Sequence, residues 1–196
     1  MSTGGSNRET EIKLRLGGAA EGRRLLKQAG FRVARRRVFE DNTLFDTQDR
    51  KLRRAGLVLR VRQCGRRVVL TFKGRAQPGR HKSREELELE ISEAATFTRI
   101  LSRLDLKPAF RYQKYRTEYA QRSGGGLATL DQTPIGDFLE LEGAPEWIDR
   151  TAAELGFAPA DYITDSYASL YWQHRENHPR SPEDMVFAQS LQIPNQ

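Results

Sequence analysis

The sequence predicts one α+β domain in which short helices cover strands of an antiparallel sheet. Three observations carry this reading. Strict alternation of residue type at a period of two recurs along most of the chain. The stretches between carry apolar stripes at helical spacing. Turns rich in Gly and Pro separate neighbouring strands, and neither a repeat nor a low-complexity linker divides the 196 residues.

Residues 1–7 are small and polar and are expected to form a disordered N-terminus ahead of a domain spanning 8–175. From Arg8 to Leu16 the alternation is strict, with Glu9, Glu11, Lys13 and Arg15 on one face and Thr10, Ile12, Leu14 and Leu16 on the other. Residues 19–29 read as a short helix carrying Leu25 and Leu26, stopped by Gly30. Val33 to Phe45 reads as a long strand or a broken pair, and 48–55 as a turn or helix ended by Gly56. The next strand places Val58, Arg60 and Arg62 on one face, and a hairpin turn is expected at Cys64-Gly65. Its partner puts Arg67, Val69, Thr71 and Lys73 on one side. A basic loop over 74–83 leads to a strand whose faces are Arg84, Glu86, Glu88 and Glu90 against Leu87, Leu89 and Ile91.

Ser92 is the expected N-cap of a helix with Ile100, Leu101 and Leu104 on its stripe. A strand from Pro108 places Lys114, Arg116 and Glu118 together. Ser123 to Gly126 is a tight turn, followed by paired strands at Leu127–Asp131 and Asp137–Glu142. Pro145 suits the first turn of a helix reaching Leu155, with Gly156 as its stop. A last helix is expected over Pro159–His174, and a loosely packed polar tail over 176–196.

Composition narrows the function classes. No apolar run approaches the roughly 18 residues of a membrane helix, and the polar start offers no secretory leader. Cys64 stands alone, so no internal disulfide forms, and no Cys/His cluster offers a zinc site. A cytoplasmic protein without a membrane partner is expected. Lys and Arg number 33 against 26 Asp and Glu, a formal charge of +7. Such a surplus points to a polyanionic partner, either nucleic acid or a phosphorylated small molecule.

The placement of the charges says more than the surplus. Acidic pairs at spacing two occur at Glu9/Glu11, Glu86/Glu88 and Glu140/Glu142; basic pairs at Lys13/Arg15, Arg60/Arg62 and Lys114/Arg116. Spacing two puts both members on one side of a sheet, about 7 Å apart. An open sheet could carry these charges outward; a closed barrel with a polar interior and helices outside accounts for them equally well. Acid and base facing one cavity suit a polyphosphate, gripped by Arg and Lys. The carboxylates then become useful by holding Mg²⁺ or Mn²⁺ against the phosphate oxygens.

A family resemblance runs through these same residues. Glu9-Thr10-Glu11-Ile12-Lys13 resembles the N-terminal ExExK signature of the CYTH family, the triphosphate tunnel metalloenzymes. The rest follows in the family's order from residue 9 to about 172: Phe45-Asp46-Thr47 with Leu52 and Gly56, Leu59-Arg60-Val61-Arg62, Thr71-Phe72-Lys73-Gly74, and Arg84-Glu85-Glu86-Leu87-Glu88. Then come Lys114-Tyr115-Arg116 with Tyr119, Leu130-Asp131, Gly136 to Glu142, and Ser166-Tyr167 with Leu170. One departure stands out: many relatives carry a lysine before the Ser-Tyr pair, and this chain has Asp165.

The resemblance implies an eight-stranded antiparallel β-barrel whose tunnel binds triphosphates with a divalent metal, with helices packed outside. It implies metal-side carboxylates at Glu9, Glu11, Glu140 and Glu142, with Glu86, Glu88 and Asp131 around a second metal or its waters. It implies phosphate clamps at Lys13, Arg60, Arg62, Lys73, Arg84, Lys114 and Arg116, of which Lys13, Arg60, Arg62 and Lys114 form the expected catalytic set. The implied substrates are tripolyphosphate, ATP or thiamine triphosphate, the implied cofactor Mg²⁺ or Mn²⁺, and the implied assembly a monomer or homodimer.

Hydrolysis and cyclisation share such a clamp and differ in the nucleophile. Hydrolysis is the favoured expectation, because charge alone suffices to hold tripolyphosphate; the alternative is a class IV adenylyl cyclase making cyclic AMP and pyrophosphate. A non-enzymatic RNA-binding protein is the distant alternative, disfavoured because acidic pairs would repel a phosphate backbone. His81, His174 and His178 are expected to lack ligand partners, Trp147 and Trp172 to pack helices, and Arg32 to Arg37 to be a solvated stretch that raises the local potential.

Overall fold

Eight antiparallel strands close on themselves in the order β1-β5-β4-β3-β2-β6-β7-β8. The computed structural model describes residues 8–188, so residues 1–7, expected to be disordered, and the last eight residues of the expected tail lie outside the described residues. The strands are β1 (Arg8–Leu16), β2 (Arg32–Asp46), β3 (Val58–Cys64), β4 (Arg67–Lys73), β5 (Lys82–Glu90), β6 (Lys107–Ala120), β7 (Gly126–Thr133) and β8 (Gly136–Gly143). Closure is made by β1, whose first half pairs with β5 (Glu9 opposite Arg84) and whose second half pairs with β8 (Lys13 opposite Glu140). Closure decides between the two arrangements left open by the alternation: one parity of each strand now faces a lumen.

The other parity makes the main core, outside the barrel. Ile12 and Leu14 of β1, Ala128 and Leu130 of β7, and Leu139 and Leu141 of β8 pack under two helices, α1 (Ala19–Gln28) and α4 (Pro145–Glu154), through Leu26, Trp147 and Ile148. Burying these side chains contributes on the order of 1.5–3 kcal/mol each. The Ser123–Gly126 turn has a packing reason. A Cβ on Gly126 would stand 2.4 Å from the Trp147 ring, so only glycine lets the indole lie on that turn.

A second apolar cluster closes one end of the lumen. The inward residues Phe110, Tyr112 and Phe138 meet Tyr167, Leu170 and Tyr171 of α5 (Tyr167–Asn177). Helix α5 starts where it does because the Ser166 hydroxyl accepts from the Ser169 amide at 3.1 Å. The helix expected over Pro159–His174 is therefore two pieces: a 3-10 turn at Pro159–Asp161, then an extended link before α5. That link is held by β1, since Ile163 and Lys13 exchange backbone hydrogen bonds of 2.8 and 2.9 Å. An edge-strand bridge outcompeted helix continuation.

Other expectations shift by small amounts. The β3–β4 hairpin turns at Gly65-Arg66, one residue later than expected, with Cys64 already paired to Arg67. Helix α3 (Ala94–Arg103) has Glu93, not Ser92, at its N-cap and no side-chain cap, and buries Leu101 while Ile100 and Leu104 stay exposed. The five-residue α2 (Lys51–Ala55) forms because the Asp46 carboxylate accepts from the amides of Leu52 and Arg53 at 2.9 and 3.0 Å, and Gly56 ends it with φ of +74°. The stretch after α5, read as loosely packed, is anchored up to Phe187: Met185 is fully buried beside Tyr112, and the Tyr171 hydroxyl hydrogen-bonds the carbonyls of Pro182 and Asp184. Among the described residues no helix is long and apolar enough to cross a membrane.

Candidate active site

Because every strand contributes its inward parity, the lumen collects the charged pairs. Of the residues named from the sequence, Glu9, Glu11, Lys13, Arg60, Arg62, Lys73, Arg84, Glu86, Glu88, Lys114, Arg116, Glu140 and Glu142 all line one cavity of about 610 Å³. Asp131 is the exception. It is fully buried behind the lining and saturated with donors, accepting from Lys114 at 2.7 Å, from Arg116 at 2.7 and 2.6 Å, and from the Tyr167 hydroxyl at 2.8 Å. It therefore orients Lys114 and Arg116 from behind the lining, away from the carboxylates that face the cavity. Arg15 shares the parity of Lys13 but lies past the lumen, over the Phe138 ring at 4.7 Å.

Each inward carboxylate near the lumen's centre has found a cation. Lys73 donates to both oxygens of Glu9 at 2.7 and 2.6 Å and also approaches Glu86 at 3.1 Å. Lys13 lies 3.1 Å from Glu11 and 3.4 Å from Glu140, and Arg116 bridges Asp131 and Glu140. Arg60 donates to Thr71 at 3.0 Å and lies near Glu86 and Glu88; Arg62 pairs with Glu88 at 3.2 Å. Such pairs are costly to bury and gain little as stability alone.

The titration directions follow from these neighbours. Burial would raise Glu11, but Lys13 overrides it and holds the carboxyl well below the usual range. Burial likewise opposes Glu140, which Arg116, Lys114 and Lys13 hold far down. Glu9 runs the other way, raised by burial and by Glu11. Glu142 has no cation partner among the described residues; desolvation within the lumen and the carboxylates of Glu9, Glu11 and Glu86 push it up to about 7. One wall is thus an acidic corner of Glu9, Glu11, Glu86 and Glu142 whose members destabilise one another's charge. Among the described residues no three carboxylates already converge as metal ligands, since Glu9 and Glu11 are turned toward lysines.

Several lining residues were not picked out from the sequence. Lys82 lies in the lumen because β5 begins two residues before Arg84; extending the alternation back over Ser83 would have found it. Burial and the charge of Lys13 lower it to about 8. Glu40, on the inward parity of β2 but buried behind the lining, is held down to about 2 by Lys114, Arg116 and Arg62 against its burial. Tyr112 shares the parity of Lys114 and meets Arg60, and Tyr167 projects between Lys13 and Lys114, whose ammonium groups lie 5.4 and 5.0 Å from its ring centre. From the basic stretch, Arg35 reaches Glu118 on the lining at 3.3 Å. His81, expected without a partner, contacts Asp149 at 2.7 Å and packs against Tyr162.

Known proteins share this fold. A Methanocaldococcus jannaschii protein described as a candidate adenylate cyclase is 29% identical over 135 residues, covering 68% of this chain and 75% of that one. Among solved structures, a protein of Pyrococcus horikoshii OT3 is 25% identical and superposes with a TM-score of 0.72 over 85% of this chain and 99% of its own. A candidate adenylyl cyclase from Hippeastrum, described as having a dominant triphosphatase activity, shares the fold at 22% identity and a TM-score of 0.63, covering 85% and 96%. The family model for the CYTH domain matches residues 7–167, a span from the ExExK strand to the tyrosine that inserts under the barrel's closed end. This chain belongs to the CYTH domain family.

Proposed function

We propose that this chain is a divalent-metal-dependent enzyme that acts on triphosphates and transfers the terminal phosphoryl group to water. One observation carries the reading: the barrel lumen is lined by nine cationic side chains and seven carboxylates, interleaved as ion pairs around Glu9, Glu11 and Glu86. Carboxylates facing the same lumen as a polyphosphate would repel it unless a cation lies between them. The acidic corner fits a divalent cation by its donors, hard carboxylate oxygens crowded enough to push Glu142 up to about 7. Glu9, Glu11 and Glu142 would hold Mg²⁺ or Mn²⁺, with Glu86 and Glu140 adjacent. The bound ion would screen the phosphate oxygens and stabilise charge developing on them.

The chain's own residues do the rest. Arg60, Arg62, Lys114 and Arg116 present fixed donors to phosphate oxygens, and arginine's planar fork binds two at once. Lys13 and Lys73, now paired with Glu11 and Glu9, are available to phosphate once those carboxylates turn to a cation. Asp131 and Tyr167 keep Lys114 and Arg116 in place, so little reorganisation is needed as charge moves in the reaction.

A second reading, cyclisation of ATP with release of pyrophosphate, is favoured by the relatives described as candidate adenylate cyclases. Product analysis distinguishes the two. Tripolyphosphate, ATP and thiamine triphosphate, each incubated with Mg²⁺, Mn²⁺ or EDTA, should give orthophosphate with metal and nothing in chelator. Cyclic AMP with pyrophosphate selects the second reading, and no metal-dependent product from any of the three refutes both.

A further inference from the structure

Glu40 is a buried anion to which neither the metal nor the phosphate oxygens give a role. It stands on β2 directly across from Lys114 of β6, is 2% exposed, and lies behind the lining of the lumen. Lys114 and Arg62 each approach one of its oxygens at 3.8 Å, and Arg116 and Arg60 add their charge, so the carboxyl stays ionised despite its burial. Neither approach is a hydrogen bond at that distance. Glu40 Oε2 has no hydrogen-bond partner among the described residues. Asp131, the other acid behind these clamps, differs in kind. It accepts four hydrogen bonds of 2.6 to 2.8 Å and so fixes Lys114, Arg116 and Tyr167.

A buried carboxylate is costly, and hydrogen bonds are what offset the cost. Asp131 has them, whereas Glu40 contributes charge with little hold on its neighbours. That charge lowers the positive potential of Lys114 and Arg62 without occupying the N–H groups that meet a ligand. We propose that Glu40 is a positioning residue acting through Lys114 and Arg62: from behind the lining it orients the two head groups and offsets part of their pull on phosphate, so that product anions can leave the lumen. The inference rests on the triphosphate reading above and adds to it what limits the grip of the clamps. A site that held substrate and product alike more tightly would gain nothing in turnover.

Glu40→Gln keeps the shape and removes the charge, while Glu40→Asp keeps the charge. The test is calorimetric binding of tripolyphosphate and orthophosphate to the full chain with Mg²⁺, together with inhibition of tripolyphosphate turnover by orthophosphate. Glu40→Gln should bind both anions about tenfold more tightly than wild type, and orthophosphate should inhibit it at correspondingly lower concentration. Glu40→Asp should bind both as wild type does. A residue that only supported the fold would have the opposite effect, since loosened clamps bind anions less well. Weaker or unchanged binding in Glu40→Gln therefore overturns the inference, as does an equal gain in Glu40→Asp. If Glu40→Gln melts too low for these measurements, the rise in Tm on adding tripolyphosphate reports the same affinity. A larger rise than in wild type supports the inference; an equal or smaller rise, or no folding with ligand, overturns it. If wild type binds tripolyphosphate without turning it over, the enzymatic reading fails separately and the binding results still decide. If wild type binds neither anion, both readings fall.

Discussion

Asp131 and Arg116 meet as a two-pronged ion pair, Nε and one terminal nitrogen of the guanidinium each donating to a different carboxylate oxygen at 2.7 and 2.6 Å. The same carboxylate also receives Lys114 and Tyr167, so one fully buried acid fixes three side chains of the lumen. Asp131→Asn keeps the shape but removes the charge. It should cost on the order of 3 kcal/mol of stability, because two buried cations lose a counter-charge. Glu140 and Glu40, near Arg116 and Lys114, limit the loss. Tripolyphosphate should restore part of the lost Tm by supplying the missing negative charge, which a melt with and without ligand measures. A variant as stable as wild type contradicts this role.

Much of this arrangement was legible in the alternation, and the misses share one cause. Parity alone sorted Glu9, Glu11 and Lys13 from Ile12 and Leu14, because a side chain's face follows directly from a period of two. Alternation alone left closure open, since it depends on β1 pairing with both β5 and β8, a contact between distant segments; the family resemblance supplied it. Asp131 has the correct parity for the lumen yet points into a nest of donors supplied by β6 and α5, which no local pattern reveals. The extended link before α5 was likewise hidden. Tyr162 and Ile163 suit a helical stripe, but a free edge on β1 claimed Ile163. Tertiary partners, not propensity, decided both.

Arg60 and Arg62 lie two apart on β3 and face the lumen, but their surroundings differ. Arg60 is buried against Thr71 and Tyr112, whereas Arg62 rests on Glu88 nearer the solvent. Arg60→Lys and Arg62→Lys keep the charge and lose the fork. Each should lower kcat/KM for a triphosphate by about a hundredfold, the worth of a charge-assisted bidentate contact in a desolvated site. Activity with either lysine variant indistinguishable from wild type would show that the fork is not used.

Two carboxylates of the acidic corner should respond oppositely to neutralisation. Glu11 is buried against Lys13, so Glu11→Gln leaves that ammonium with Glu140 at 3.4 Å as its main counter-charge and should lower Tm. Glu142 has no cation partner among the described residues and is repelled by its neighbours, so Glu142→Gln should hold or raise Tm in metal-free buffer. The gain is about 0.5 kcal/mol once solvent screening at the mouth is allowed for. Both variants should need more Mg²⁺ for turnover, because each removes a hard carboxylate proposed to hold the ion. Thermal melts paired with metal titrations read the two effects separately. A loss of stability in Glu142→Gln would mean that its side chain has a structural partner.

The pH dependence follows from the same crowding. Glu142 is pushed up to about 7 in the folded protein, above the ordinary carboxyl value of 4.5 that it regains on unfolding. Between those values the folded form holds a proton that the unfolded form has released. The stabilisation this group provides is therefore complete below about pH 4.5 and is lost as pH rises through about 7. A divalent ion must displace that proton, so apparent Mg²⁺ affinity should increase from pH 6 to pH 8, by up to about tenfold per unit for one displaced proton. Glu142→Gln has no proton to displace there, and its affinity, though weaker, should vary less with pH over the same range. Calorimetric titration of Mg²⁺ at pH 6, 7 and 8, in buffers of different ionisation enthalpy, counts the protons released. Wild type should release a fraction of a proton near pH 7 that the variant does not. Equal release by both proteins would move the titrating carboxyl elsewhere in the corner, with Glu9, also raised by burial and by Glu11, the next to test.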